Sequence, residues 1–246
     1  ELMRGIAGLH VSDIFGDGSQ ARFDLRGFGP TATSNTVVLV DGRKLNNSSD
    51  TAAPDLSTID IDDVEQIEIL QGSAGVLYGN QAVGGVIHII RNKNARDKAS
   101  LKLDIGSYSA HKLTASIKKQ LGQTQLSLLA TDTNSDNYRE HNNIDKQHVA
   151  FKAQRQHMGF SAFIELETTN EQIQTPGALL LSELENNRTQ SLSFYQLDYF
   201  DTRTDVVRIG FDKPLNSSQS IQFDLSKQVT DREFIQTFRP FSGSLS

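Results

Sequence analysis

The sequence predicts an α+β domain followed by antiparallel strands of a transmembrane β-barrel, incomplete at about seven strands. Three observations carry that reading. Residues 1–94 mix helix-like and strand-like pieces punctuated by glycine. After residue 94, apolar residues recur at every second position in seven separate runs, the period of a strand with one apolar face. The connections between those runs alternate between short and long, as the turns and loops of outer-membrane barrels do. On periodicity alone a soluble antiparallel sandwich, apolar inside and polar outside, stays open.

In the first region, residues 2–9 read as the end of a helix stopped at Gly8. Residues 21–26 read as a strand broken by Gly27 and Gly29. Asp41 and Gly42 stand between the apolar runs 37–40 and 43–45; Asp-Gly in that setting signals a two-residue hairpin, because both turn positions need positive φ. Residues 55–59 suit a short helical turn, and residues 64–70 and 85–90 read as strands. In the second region the runs centre on Leu103, Ala115, Leu128, Phe151, Ile164, Ile209 and Phe223. Residues 121–124, 155–159 and 213–219 are short connections; residues 133–146 and 170–203 are long and polar.

Composition narrows the function classes. A formal net charge of -6 argues against nucleic acid as a partner, which would call for a basic face. There is no cysteine, hence no disulfide and no thiolate metal site. No apolar run is long enough for a membrane helix, which says nothing about barrel strands. The six histidines are scattered without metal-ligand spacing, and no Ser/His/Asp grouping stands out. The run GSAGVLYGNQAVGG lacks the Lys-Ser/Thr ending of a phosphate loop and leads into a β-branched strand. No enzyme is expected. The chain opens at Glu1 without an initiator Met or a basic-then-apolar leader, so a removed signal peptide or a fragment is expected. At roughly 20 residues per strand, a 22-stranded plugged barrel would need on the order of 430 residues, which also leads to the expectation of a fragment.

One stretch is more specific. Residues 59–93 read IDIDDVEQIEILQGSAGVLYGNQAVGGVIHIIRNK: an acidic turn (Asp60, Asp62, Asp63), an alternating strand, a glycine-rich segment and a second strand. Upstream stand FDLRGFG at residues 23–29 and VVLVDGRKLN at residues 37–46. These three ordered blocks resemble the plug domain of TonB-dependent outer-membrane receptors. The resemblance implies a plug over residues 1–94, the first part of the barrel over residues 95–246, and a location in the outer membrane of a Gram-negative bacterium. It implies active uptake of a scarce nutrient complex, most often a ferric siderophore, with cobalamin or carbohydrate uptake, or a signalling or adhesive receptor, as alternatives. The implied partners are the TonB–ExbB–ExbD complex, outer-membrane lipid and the small ligand itself.

The resemblance also assigns roles. Arg26 falls where the family places a plug arginine that pairs with barrel glutamates, which makes it the expected plug–barrel lock. The family's second arginine and its proline are missing, because the matching step is Gln71-Gly72-Ser73. Asp41, Gly42, Glu65, Glu68, Gly72, Tyr78, Gly79, Gly84 and Gly85 match structural plug positions. The outward plug loops contact ligand in the family. Here they hold Phe28, Thr31, Thr33, Ser34, Asn35, Asn46, Asn47, Ser48 and Asp50, a nearly uncharged set suited to a neutral or polyoxygenated ligand, though loops are polar in any case. No resident cofactor is expected. Asp132, Asn134 and Asp136 open like a calcium loop, but Asn137 and Asn143 replace its glycine and its final acid.

Overall fold

A computed structural model describes residues 8–13, 21–46, 54, 56, 59, 63–79, 81–91, 97–216 and 218–239. The chain divides into two compact units, Glu1–Ala95 and Arg96–Ser246.

In the first unit β1 (Leu9–Asp13) pairs antiparallel with β2 (Ala21–Leu25). The short helix α1 (Ala32–Asn35) leads into β3 (Thr36–Val40), which turns at Asp41 and Gly42 into β4 (Arg43–Lys44). Both turn residues have positive φ, 49° and 82°, as the Asp-Gly pair predicts. After β5 (Val64–Gln71) and α2 (Gly75–Tyr78), β6 (Gly85–Arg91) inserts between β3, which it meets in parallel, and β5, which it meets antiparallel. The sheet order is β4-β3-β6-β5. Phe23, Leu25, Val38, Val40, Ile87 and Ile89 form its core. β1 is a correction: Leu9 opens a strand, and the rest of the expected helix lies outside the described residues. So does most of the expected turn at 55–59, although the Ile59 amide does donate to the Leu56 carbonyl at 3.1 Å.

The second unit is a seven-stranded antiparallel meander: β7 (Lys98–Ile105), β8 (His111–Leu121), β9 (Thr124–Ser135), β10 (Ile144–His157), β11 (Phe160–Gln174), β12 (Tyr199–Pro214) and β13 (Ser220–Ile235). The seven runs of alternation became these seven strands. They extend further than the apolar pattern shows, so the long loops shrink to residues 136–143 and 175–198.

Its polarity is inverted relative to a soluble sandwich. Large apolar side chains such as Leu101, Ile117, Phe151, Leu166, Val207 and Leu225 are exposed on one face, while Lys146, His148, Glu165 and Arg208 on the other are at most 3% exposed. The apolar side chains on the exposed face of β13 run from Ile221 to Val229, interrupted by Lys227. At about 3.4 Å per residue and a tilt of about 40°, that spans ~20 Å, near the height of a barrel's lipid-facing band. The polar face carries matched charges. Lys146 meets Glu171 at 3.2 Å. Arg208 meets Glu165 at 3.5 Å and donates from Nε to both Asp224 oxygens at 2.9 and 3.0 Å. Phe163 lies under both Lys152 and Arg208, and its ring fills the space a side chain at Gly210 would need.

Candidate functional site

The segment from Arg26 to Asn35 is built by the end of β2. Arg26 and Gly27 both take positive φ, 77° and 79°, which turns the chain sharply. The buried Asp24 carboxylate fixes that turn by accepting from the amides of Phe28 and Gly29, both at 2.7 Å. The Thr31 carbonyl accepts from the Asn35 amide at 2.8 Å and the Ser34 hydroxyl at 3.1 Å. Phe28, Thr31, Ser34 and Asn35 are thereby gathered on one short, accessible loop. Asp24 was absent from the sequence-based set.

Two of the expected ligand residues are corrected. Thr33 and Asn46 are buried. Asn46 accepts from the Val38 amide at 2.7 Å and donates to the carbonyls of Thr36 at 2.9 Å and Thr33 at 3.3 Å. It ties the end of the hairpin to α1. Asn47, Ser48 and Asp50 lie outside the described residues.

The motif residues have physical roles. Gly84 donates to the Asn35 carbonyl at 2.7 Å, and a Cβ there would lie 3.0 Å from that oxygen, the Leu25 carbonyl and the Phe28 ring. Gly85, at φ +153°, would place a Cβ 2.4 Å from the Leu70 carbonyl oxygen. Gly84 thus lets the chain enter β6 directly beneath the loop bearing Phe28 and Asn35, and Gly85 lets β6 start tight against Leu70 of β5. Gly72 (φ 105°) donates to the Gly84 carbonyl, and Gly79 (φ 87°) ends α2 beside the exposed Tyr78. Glu65 and Glu68 are exposed on the edge strand β5; Glu68 lies 3.7 Å from His88. Asp41 accepts from the Arg91 amide at 2.9 Å and its Nε at 2.8 Å, while Gly42 donates to His88 at 3.0 Å. Arg91 was missed because its partner lies fifty residues away. Asp41→Ala removes one side of a largely buried pair, so a loss of about 3 kcal/mol is expected, measured by urea unfolding of the full-length receptor followed at the plug. Arg26 itself is exposed.

At the loop end of the second unit, residues 136–143 and 175–198 are held together by Arg139. Its guanidinium donates to the carbonyls of Gly177 at 2.6 Å, Gln190 at 2.7 Å and Pro176 at 3.3 Å, and burial draws its pKa downward. His141 meets the Asp198 carbonyl at 2.8 Å, and the Glu140 amide donates to Thr189 at 2.7 Å. In the small helix α3 (Leu181–Asn186), Glu183 caps the Leu180 amide at 2.7 Å and pairs with Arg239; these bonds hold its carboxyl below the usual range. A lysine ammonium concentrates its donors at one point and lacks the planar fork whose two terminal nitrogens reach these carbonyls, so Arg139→Lys is expected to speed proteolytic cleavage within residues 175–198 several-fold while leaving the strands protected. Asp132 and Asn134 lie along β9 rather than in a loop; Asn134 is 3.5 Å from Asp145, and Asp136 accepts from Asn143 at 3.0 Å. Among the described residues no three His, Cys, Asp or Glu side chains converge as a metal site.

A glycine-packed α+β unit, followed by a meander whose charged face is buried and whose apolar face is exposed, defines the plug-and-barrel class of membrane protein. A family model described as the TonB-dependent receptor plug domain matches residues 1–86, so the first unit is similar to the plug of TonB-dependent receptors. It is 34% identical over 141 residues to the vitamin B12 transporter BtuB of Vibrio vulnificus (strain YJ016), covering 56% of this chain and 22% of that protein. Among solved structures it is similar to the ferric yersiniabactin uptake receptor FyuA from Yersinia pestis, with a TM-score of 0.77 at 15% identity over 95% of this chain and 38% of that one. It is also similar to the unliganded ferric citrate transporter FecA, with a TM-score of 0.73 at 20% identity over 94% and 37%. The chain therefore spans well under half of each. Members of this family are outer-membrane proteins of Gram-negative bacteria, and they are transporters and receptors rather than enzymes.

Proposed function

We propose that these residues are the plug and first barrel strands of a receptor that imports a scarce nutrient complex across the outer membrane, drawing energy through TonB, ExbB and ExbD. The observation that carries this is the accessible loop of Phe28, Thr31, Ser34 and Asn35, fixed by Asp24 above Gly84, where no side chain fits. One aromatic among uncharged donors and acceptors suits a ligand whose metal charge is wrapped in an oxygen-rich organic shell. A ferric siderophore is the first reading. A corrinoid is the second, favoured by the 34% identity to a vitamin B12 transporter. Equilibrium binding of cyanocobalamin and of a ferric siderophore panel to the full-length receptor separates them, and uptake assays with and without TonB test the energy source. Binding of neither class, or uptake that is unchanged without TonB, overturns the proposal.

Arg26 enters the proposal as the lock between plug and barrel. Arg26→Ala is expected to weaken plug retention, read as faster hydrogen exchange across β2 and β3 with altered uptake. Unchanged exchange and unchanged uptake would remove it from that role.

A further inference from the structure

On the apolar face of the meander, beyond the apolar band and toward the long loops, the side chains become planar and polar. Asn134, Asp145, Gln172 and Asp201 are successive register partners across β9, β10, β11 and β12. They share a face with the lipid-band residues, since Asp145 lies an even number of positions from Val149 and Phe151 on one strand. Neighbouring strands place such groups about 4.8 Å apart. Gln172 donates to Asp201 at 2.9 Å. Beside this row Leu197 projects from the loop at 72% exposure, and Tyr199 donates its hydroxyl to Glu233 at 2.9 Å. Together they line a pocket of about 510 Å³ whose lining contains no lysine or arginine.

The chemistry of that lining is selective. Carboxylates and amides in a row accept from and donate to adjacent hydroxyls, while Leu197 and the Tyr199 ring offer an apolar wall to C–H groups. The carboxylates of Asp145 and Asp201, with no lysine or arginine beside them, disfavour phosphate. A pyranose has this amphipathic character, with hydroxyls around its edge and C–H groups on its faces. The position matters equally: in an outer-membrane barrel, the outward face just above the lipid band meets the sugars of the surrounding outer-leaflet glycolipid. We propose that this pocket binds a neutral, hydroxylated saccharide, presented by a membrane glycolipid or free in solution. The inference rests on the outer-membrane placement of the chain and is independent of which nutrient it imports.

The test uses the full-length receptor in detergent, with the neutral, phosphate-free outer-core oligosaccharide of the host's own lipopolysaccharide as the probe. Saturation-transfer NMR reads binding, and co-purified glycolipid is quantified separately. Two variants are compared: the pair Gln172→Leu with Asp201→Leu, and Leu197→Asp, which alters an exposed loop position that the strands do not need for folding. The expected result is oligosaccharide binding that weakens about tenfold or more in each variant, as loss of one or two net hydrogen bonds or of the apolar wall implies. Co-purified glycolipid falling in parallel identifies the membrane headgroup as the source; unchanged glycolipid with weakened oligosaccharide binding identifies a free saccharide. No binding by the unmodified receptor, or equal binding by the folded variants, overturns the proposal. Nutrient binding, measured on the same samples, stays unchanged if the pocket is separate from import.

Discussion

Replacing Gly85 with alanine is expected to destabilise the plug by about 2–4 kcal/mol. Two effects add. The new Cβ would lie 2.4 Å from the Leu70 carbonyl oxygen and 2.7 Å from Leu25 Cδ1, so backbone on one side and buried core on the other must give way. The residue would also have to hold φ near +153°, which an L side chain rarely adopts. Because β6 pairs with both β3 and β5, its displacement is felt across the sheet. Hydrogen exchange of β3 and β6 amides in the full-length receptor should accelerate roughly 30- to 700-fold. Gly75→Ala is the control: it meets nothing within 4 Å and should leave exchange near the unmodified rate. Equal behaviour of the two variants would show that the tight passage of β6 does not limit plug stability.

The second large effect is expected at Arg208. It is 3% exposed and faces Glu165, itself 1% exposed, on one side and Asp224 on the other. Arg208→Ala removes the shared cation from two carboxylates and the face-on contact with Phe163. Truncating one partner of a buried charge pair costs about 3–5 kcal/mol, read here as a lower urea midpoint for loss of the heat-modifiable barrel band. Arg208→Met combined with Glu165→Gln and Asp224→Asn should recover much of that loss, because no unpaired charge then stays buried. Failure of the triple variant to exceed the single one would mean that the arginine's shape, rather than its charge balance, holds the strands.

Much of the architecture was legible because its signals are local. Period-2 alternation marks each barrel strand by itself, and Asp41-Gly42 marks its turn by the φ values it permits. The glycines at 72, 79, 84 and 85 were legible as places where the backbone needs freedom. Other features were not. β1 is five residues long, too short for its period to outweigh the helix-like spacing before it. The four-residue helices α1 and α2 complete barely one turn. The strands' extension past the lipid band carries no apolar pattern at all.

The candidate ligand loop was read as a set of polar residues, and composition could not separate contact residues from supports. Burial divides the set only by exposure: Asn46 and Thr33 turn inward, while Phe28, Thr31, Ser34 and Asn35 stay accessible. The sequence by itself determined the seven strands of the second unit, the Asp41-Gly42 turn, the glycine permissions and the resemblance of the first unit to a plug domain. Only the tertiary structure decided which partners meet: Asp41 with Arg91, Glu165 with Arg208 and Asp224, and the polar row from Asn134 to Asp201. Period and turn propensity act within a few residues of chain, whereas register, burial and charge pairing arise when distant strands come into contact.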